Sequence, residues 1–344
     1  MQLGFARNSE DLKIDNPSDL PRDTPSCIQW SADIPTVFGV SSWDCSFRMY
    51  NINNNGSFSQ VFIAELDEPI TTFEFKDDQY AFLGTMTGNI YAVEFKTGQL
   101  NNIGCQKLPI LKLVWIKERD CLVAFEAGTI VGVYDITKGQ IGEVILEDEA
   151  VSVDYKSQLF AVGCANNRLA LFTLSNLQQN DITTVPTQLN SKISVVNLHE
   201  NGNNVLIAGY DGRISNSTIS TRSYHREIKS ELLFKAYAPK NDKDYTEFYP
   251  ITQCEYAPNV GTKMFYTVSP CGILKNWEYQ NRQLCSEYAY TAPIATSAFN
   301  KKSQLLVLGL GYDWTYGVWG LQNVNSPPEI IVKQLVKGDF ISGN

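Results

Sequence analysis

An all-β, seven-bladed propeller is the fold predicted by this 344-residue sequence, and three observations carry it. A short pattern (apolar strand, tight polar or glycine turn, alternating strand) recurs along the chain. The copies are spaced by about 40 residues, each with a further apolar run upstream. Aromatics reach 12%, with 17 Tyr and 17 Phe, side chains that suit the pleated, half-buried surface of a strand.

The elements follow in chain order. "DLKID" (11–15) precedes the first copy and is expected to supply the outer strand of the last blade, closing the ring. Blade one starts with the inner strand "SCIQW" (26–30) and continues through "GVSSWDCSFRMYNI" (39–52), where Trp43-Asp44 is a turn between strands. "ITTFEF" (70–75) leads into "YAFLGTMTGNIYAVEF" (80–95), and "ILKLVW" (110–115) into "CLVAFEAGTIVGVYDI" (121–136). "AVSVDY" (150–155) precedes "LFAVGCANNRLALFTL" (159–174), and "ISVVNL" (193–198) precedes "VLIAGYDGRISNSTIS" (205–220). "ITQCEY" (251–256) opens the sixth copy, "MFYTVSPCGILKNWEY" (264–279). "IATSAF" (294–299) opens the looser seventh, "LLVLGLGYDWTYGVWG" (305–320). Between the turn residues Cys45, Gly88, Gly128, Asn167, Gly212, Gly272 and Asp313 the steps are 43, 40, 39, 45, 60 and 41 residues. A period near 40–45 with paired strands marks WD-type blades. Residues 25–322 are therefore assigned to the propeller, 1–24 to an N-terminal segment and 323–344 to a C-terminal tail. The long step carries its surplus in 223–248, a stretch with five Lys/Arg and five Asp/Glu. Long loops on rigid scaffolds often carry function, and a merely solvated loop fits the composition equally well.

Only His199 and His225 are present, so the Gly-His to Trp-Asp networks of regular WD repeats cannot form, and apolar packing must hold the blades. The eight cysteines are scattered with no C-x-x-C pair, the pattern of free thiols rather than a metal or disulfide framework. A formal charge of −9 disfavours a nucleic-acid surface. No apolar run is long enough to insert into a membrane, and the opening residues lack a signal-peptide core. No nucleophile elbow or dinucleotide fingerprint is complete, and Glu147-Asp148-Glu149 reads as a solvated charge run between blades. The expectation is a protein without catalytic activity, metal or cofactor.

Arg213, in "YDGRIS", follows a hairpin turn and is placed to fork onto a partner carboxylate, although an exposed surface arginine is the default reading. Lys235 and Arg282 face the same default, and Trp277 and Trp314 that of blade packing.

The chain resembles, from about residue 11 to 320, the mRNA-export WD-repeat propellers of the nuclear pore and their close relatives, the mitotic-checkpoint propellers. "DLKIDNPSDLPRDTPSCIQWS", "SSWDCSFRMYNI", "DGRIS" and "FYPITQCEYAP" (248–258) are similar to family segments, and "YDWTYG" (312–317) resembles a turn of the export branch. The resemblance implies a non-enzymatic adaptor, monomeric within a larger complex, at the nuclear pore complex of the nuclear envelope and also in the cytoplasm. It would act in mRNA export by clamping a short nucleoporin motif. The sister branch implies a spindle-assembly-checkpoint adaptor binding the equivalent motif of checkpoint kinases. A rival of another class is a substrate-receptor subunit of a ubiquitin ligase. The resemblance places Arg213 at a glutamate-binding position near blades five and six, and Lys235, Tyr249, Trp277 and Arg282 complete the expected peptide site. In "FKAYA" (234–238), Tyr237 and Ala238 replace a family His and Arg. The family's basic tail is reduced to Lys333 and Lys337, which argues against direct RNA contact.

Overall fold

The computed structural model describes residues 11–177, 182–222, 225–241, 246–257, 264–278, 282–300, 302, 304–313, 327–335 and 339. Among them are seven four-stranded antiparallel sheets, arranged as a seven-bladed propeller, and one two-stranded ribbon. Blade one comprises Pro25–Trp30, Val37–Ser42, Ser46–Ile52 and Phe58–Glu65. Blade two comprises Ile70–Phe75, Tyr80–Thr85, Asn89–Glu94 and Leu100–Cys105, and blade three Ile110–Ile116, Cys121–Glu126, Ile130–Asp135 and Gly139–Ile145. Blade four comprises Ala150–Lys156, Leu159–Cys164, Arg168–Thr173 and the short Thr183–Pro186. Blade five comprises Ile193–Leu198, Asn204–Gly209, Arg213–Arg222 and His225–Lys235, and blade six Gln253–Tyr256, Met264–Ser269, Ile273–Glu278 and Gln283–Ala289. No described helix is long and apolar enough to cross a membrane.

Blade seven takes Ile294–Asn300, Leu305–Leu310 and Glu329–Gln334 from the end of the chain and Leu12–Lys13 from its beginning. Leu12 stands opposite Val332 and Lys13 opposite Ile331, so the expected closing strand is in place. The expected boundary at 322 is not. Gly309 pairs with Ile330 and Leu305 with Gln334, so the segment assigned to a tail is the third strand of the last blade. Its apolar run, Ile330, Ile331 and Val332, is fully buried, which is why it belongs to the sheet. Lys333 is no tail residue either: its ammonium lies 3.0 Å from Asp11 and over the Tyr288 ring. Trp314 and Lys337 lie outside the described residues.

In each blade the inner strand begins at one end, here the upper face, and antiparallel order returns the turn between strands two and three to that same end. At five of the seven predicted turn residues the backbone has positive φ: Cys45 (70°), Gly88 (92°), Asn167 (64°), Gly212 (75°) and Gly272 (78°). That left-handed geometry suits the tight hairpin. The turn carbonyl then accepts a hydrogen bond from the chain leaving the outer strand: Leu66 N to Cys45 O 2.9 Å, Gln106 N to Gly88 O 2.9 Å, Ala236 N to Gly212 O 2.8 Å, Tyr290 N to Gly272 O 2.8 Å. The long fifth step reflects an outer hairpin of 10- and 11-residue strands plus the ribbon Lys240–Asn241 with Thr246–Glu247.

Among the described residues, each blade-to-blade interface has its own apolar cluster, for example Phe125, Phe160 and Phe172 between blades three and four. Apolar packing replaces the histidine networks, with a polar supplement that the sequence reading missed. Around the channel, an inner-strand side chain accepts from the backbone N–H of the next blade's inner strand. Glu74 accepts from Trp115 (3.4 Å), Asp154 from Leu198 (2.7 Å), Asn197 from Tyr256 (3.3 Å) and Glu255 from Phe299 (3.2 Å). The sequence signal is a polar residue just before the strand's closing large side chain, as in "FEF", "VDY" and "CEY".

Candidate functional site: the upper face of blades five and six

The turn Gly209–Arg213 of blade five, the end of its outer strand and the described parts of the following connection, 236–241 and 246–252, meet on the upper face. Arg213 and Lys235 are direct cross-strand partners, so two cations share one rung. The Arg213 guanidinium is ion-paired with Asp211, whose carboxylate also accepts from Ser191 Oγ (2.7 Å) and from Arg213 N (3.2 Å). Burial pushes the Asp211 carboxyl up, but the Ser191 and Arg213 hydrogen bonds outweigh it and hold the group below its ordinary value. Asp211 therefore stays ionised and keeps the guanidinium fixed. Gly212 carries this arrangement, because a Cβ there would sit 2.7 Å from Tyr237 O and 2.9 Å from Tyr249 O.

The five expected site residues do not stay together. Arg213, Lys235 and Tyr249 share the upper face; Tyr249 is half-buried and donates its hydroxyl to Glu247 (3.1 Å). Trp277 is 6% exposed, donates Nε1 to Thr267 Oγ1 (3.0 Å) and packs edge-on against Phe234, so it offers no contact area to a peptide. Arg282 lies in the turn between strands three and four of blade six, which antiparallel order puts on the lower face. Strand topology separates it from Arg213 by the length of a blade.

Three residues join the site instead. Tyr210 is 51% and Phe248 50% exposed, large apolar surfaces beside the Arg213 turn. Lys192 is exposed, its carbonyl accepts from Tyr210 N (3.1 Å), and its ammonium has no hydrogen-bond or ion-pair partner among the described residues. A sequence signal existed for Lys192 and Tyr210. In most blades the N–H just after strand two meets the carbonyl just before strand one, as for Met86 to Pro69, Ala127 to Pro109 and Ala165 to Glu149. Aligning the copies would have joined positions 192 and 210. Tyr237, by contrast, is a structural peg: its buried hydroxyl donates toward Thr267 O and Ile273 O, each 2.9 Å away in blade six. Ala238 is exposed next to it.

The central channel forms a cavity of about 470 Å³, with Glu74, Asp154, Glu255, Lys112, Lys156 and Lys302 in its wall. Its charges balance, and its carboxylates are already bound to neighbouring blades. Among the described residues no group of three or more His, Cys, Asp or Glu could hold a metal ion.

No family model matches the chain. It is 21% identical to the mRNA export factor GLE2 of Chaetomium thermophilum, over 98% of this chain and 93% of that one. It is 20% identical to the mRNA export factor rae-1 of Caenorhabditis elegans (96% and 89%) and 20% to the mitotic checkpoint protein bub-3 of that organism (81% and 81%). Among solved structures, the chain is similar to "Structure of U3-55K", at a TM-score of 0.75, 12% identity and coverage of 95% and 98%. It is similar at the same TM-score to "Crystal structure of RRP9 WD40 repeats", at 13% identity and coverage of 95% and 97%. The chain is a WD-repeat propeller, with relatives named as mRNA export and mitotic checkpoint proteins.

Proposed function

We propose that this chain is a non-enzymatic peptide-binding adaptor acting in mRNA export at the nuclear pore complex, where it clamps a short acidic motif of a nucleoporin. It would work at the nuclear envelope and in the cytoplasm. The observation that supports this reading is the shared rung of Arg213 and Lys235 beside exposed Tyr210 and Phe248. Arginine and aromatic side chains dominate interface energetics, and a guanidinium pre-set by Asp211 loses less freedom on meeting a second carboxylate. Lys192 extends the positive field. The relative named as a mitotic checkpoint protein supports a second reading, an adaptor for the equivalent motif of checkpoint kinases.

Calorimetric titration with a glutamate-rich peptide tests the site. Arg213→Ala should weaken binding at least tenfold without altering the melting curve, while Arg282→Ala should bind as wild type. Ala238→Arg, which adds a cation to the exposed connection just after the strand, should tighten binding. Unchanged binding by Arg213→Ala would place the clamp elsewhere. Co-purification from source cells separates the readings: a nucleoporin favours the first, a checkpoint kinase the second, and a cullin adaptor would overturn both.

A further inference from the structure

On the opposite half of the upper face, blades two and three carry an apolar strip. Met86 and Leu108 are 44% and 43% exposed. Met86 N donates to Pro69 O (3.0 Å), and a Cβ on Gly88 would lie 2.9 Å from Leu108 O. The Leu108 side chain reaches over Gly128, and Ala127 N donates to Pro109 O (2.7 Å). Pro69, Met86, Leu108, Pro109 and Ala127 thus form one continuous run from blade to blade. Two carboxylate anchors, half-buried Glu68 and buried Glu126, fix its shape. Glu68 accepts from Asn89 Nδ2 (2.8 Å) and Tyr91 Oη (3.2 Å), holding the first connection onto the turn of blade two. Glu126 accepts from Lys107 N (3.2 Å) and Leu108 N (3.3 Å), holding the second onto blade three.

Carboxylates flank the strip at both ends: Asp67 on one side, Glu147, Asp148 and Glu149 on the other, with Lys107 the cation between them. None of the four makes an ion pair among the described residues. Exposed apolar surface with rigid walls marks an interaction site, and the sign of its rim selects the partner.

We propose that this strip docks a partner segment of basic and apolar character, one or two large apolar side chains flanked by Lys or Arg. Its apolar side chains cover Met86 and Leu108 while its cations meet Asp67 and the 147–149 carboxylates. The site is distinct from the acidic-motif clamp on blades five and six and opposite to it in charge. The two can be occupied together.

The probe is a labelled twelve-residue peptide of alternating lysine and leucine pairs, titrated into the full chain by fluorescence anisotropy; a glutamate-leucine peptide is the control. The lysine peptide should bind and the control should not. Met86→Ser/Leu108→Ser, which leaves the net charge unchanged, should weaken binding at least tenfold. Glu147→Gln/Glu149→Gln should weaken it several-fold and flatten its salt dependence, since exposed charges are screened by salt. Arg213→Ala should bind the lysine peptide as wild type, which separates this site from the clamp. The proposal is overturned if the wild type binds neither peptide or both equally, or if the double serine variant binds unchanged. It is equally overturned if sedimentation shows a wild-type dimer that the serine variant dissolves, since a second copy would then be the occupant.

Discussion

Gly212 sits at φ +75° with two carbonyls facing the place of its missing Cβ, so a side chain there meets both backbone strain and collision. Gly212→Ala should lose about 1–3 kcal/mol in denaturant unfolding; a loss below a few tenths would mean that the turn relaxes freely. Asp154 makes a different demand. Its carboxylate accepts from Leu198 N (2.7 Å), Asn197 Nδ2 (3.1 Å), Tyr155 N (2.9 Å) and Lys156 Nζ (3.2 Å). Burial raises its pKa, but the Lys156 ammonium and the backbone donors together bring it below the ordinary value. A depressed carboxylate means that the unfolded chain binds more protons near and below pH ~4, so this stabilisation is present above that range and lost as pH falls. Asp154→Asn should therefore be less stable at pH 7 and show a flatter acid limb in its stability profile. An acid limb identical to wild type would assign the acid sensitivity elsewhere. At this scale the sequence was partly legible. Arg213 stands out in the sequence by its place after a hairpin turn, whereas Lys235 enters the expected site only through the family resemblance. For Trp277 the default reading, blade packing, is what the structure shows, and the peptide contact implied by the resemblance is not available: a third strand is covered by blades on both faces, and Asn276 beside it is buried as well.

Among elements, the first six hairpins were legible because turn chemistry and strand periodicity agree. The seventh was not. Its second and third strands, Leu305–Leu310 and Glu329–Gln334, stand far apart in sequence, and most of the aromatic-rich stretch that reads as the partner strand, 312–320, lies outside the described residues. Packing, rather than local pattern, decides for "EIIVKQ". A polar clasp then ties this blade to its neighbour. Asp11 takes Lys333 (3.0 Å) and the Tyr290 hydroxyl (3.0 Å), while Ser286 Oγ donates to Asp339 O (3.0 Å) and Tyr288 to the Asp339 carboxylate. Burial, followed by the hydrogen bond to the Asp339 carboxylate, pushes Tyr288 up to about 12, so its hydroxyl keeps its proton across the neutral range. Lys333→Ala leaves Asp11 without its cation, though still bonded to the Tyr290 hydroxyl, and should cost about 1–3 kcal/mol. Limited proteolysis should then cut near Leu12 faster than in wild type; equal rates would mean that strand pairing alone holds the closure.

Taken as a whole, the molecule is a ring whose seven interfaces are built alike, so weakening one should lower the stability of all. Deleting residues 1–14 removes Leu12–Lys13 and the buried Ile14 from the blade seven–blade one interface. One cooperative transition at a lower temperature is expected in calorimetry. Two separate transitions would mean that the blades melt independently. The same closure has a consequence in time. Leu12 finds Val332 only after nearly the whole chain has been synthesised, and such distant contacts form slowly. Until then the nascent protein is an open crescent with one apolar face at each tip, Phe38 and Val40 at one, Leu305 and Val307 at the other. Every copy on a polysome carries the same two tips, so ring closure competes with strand exchange between neighbours. Dense loading of ribosomes on the messenger is therefore expected to favour swapping over closure, and sparse loading the monomer.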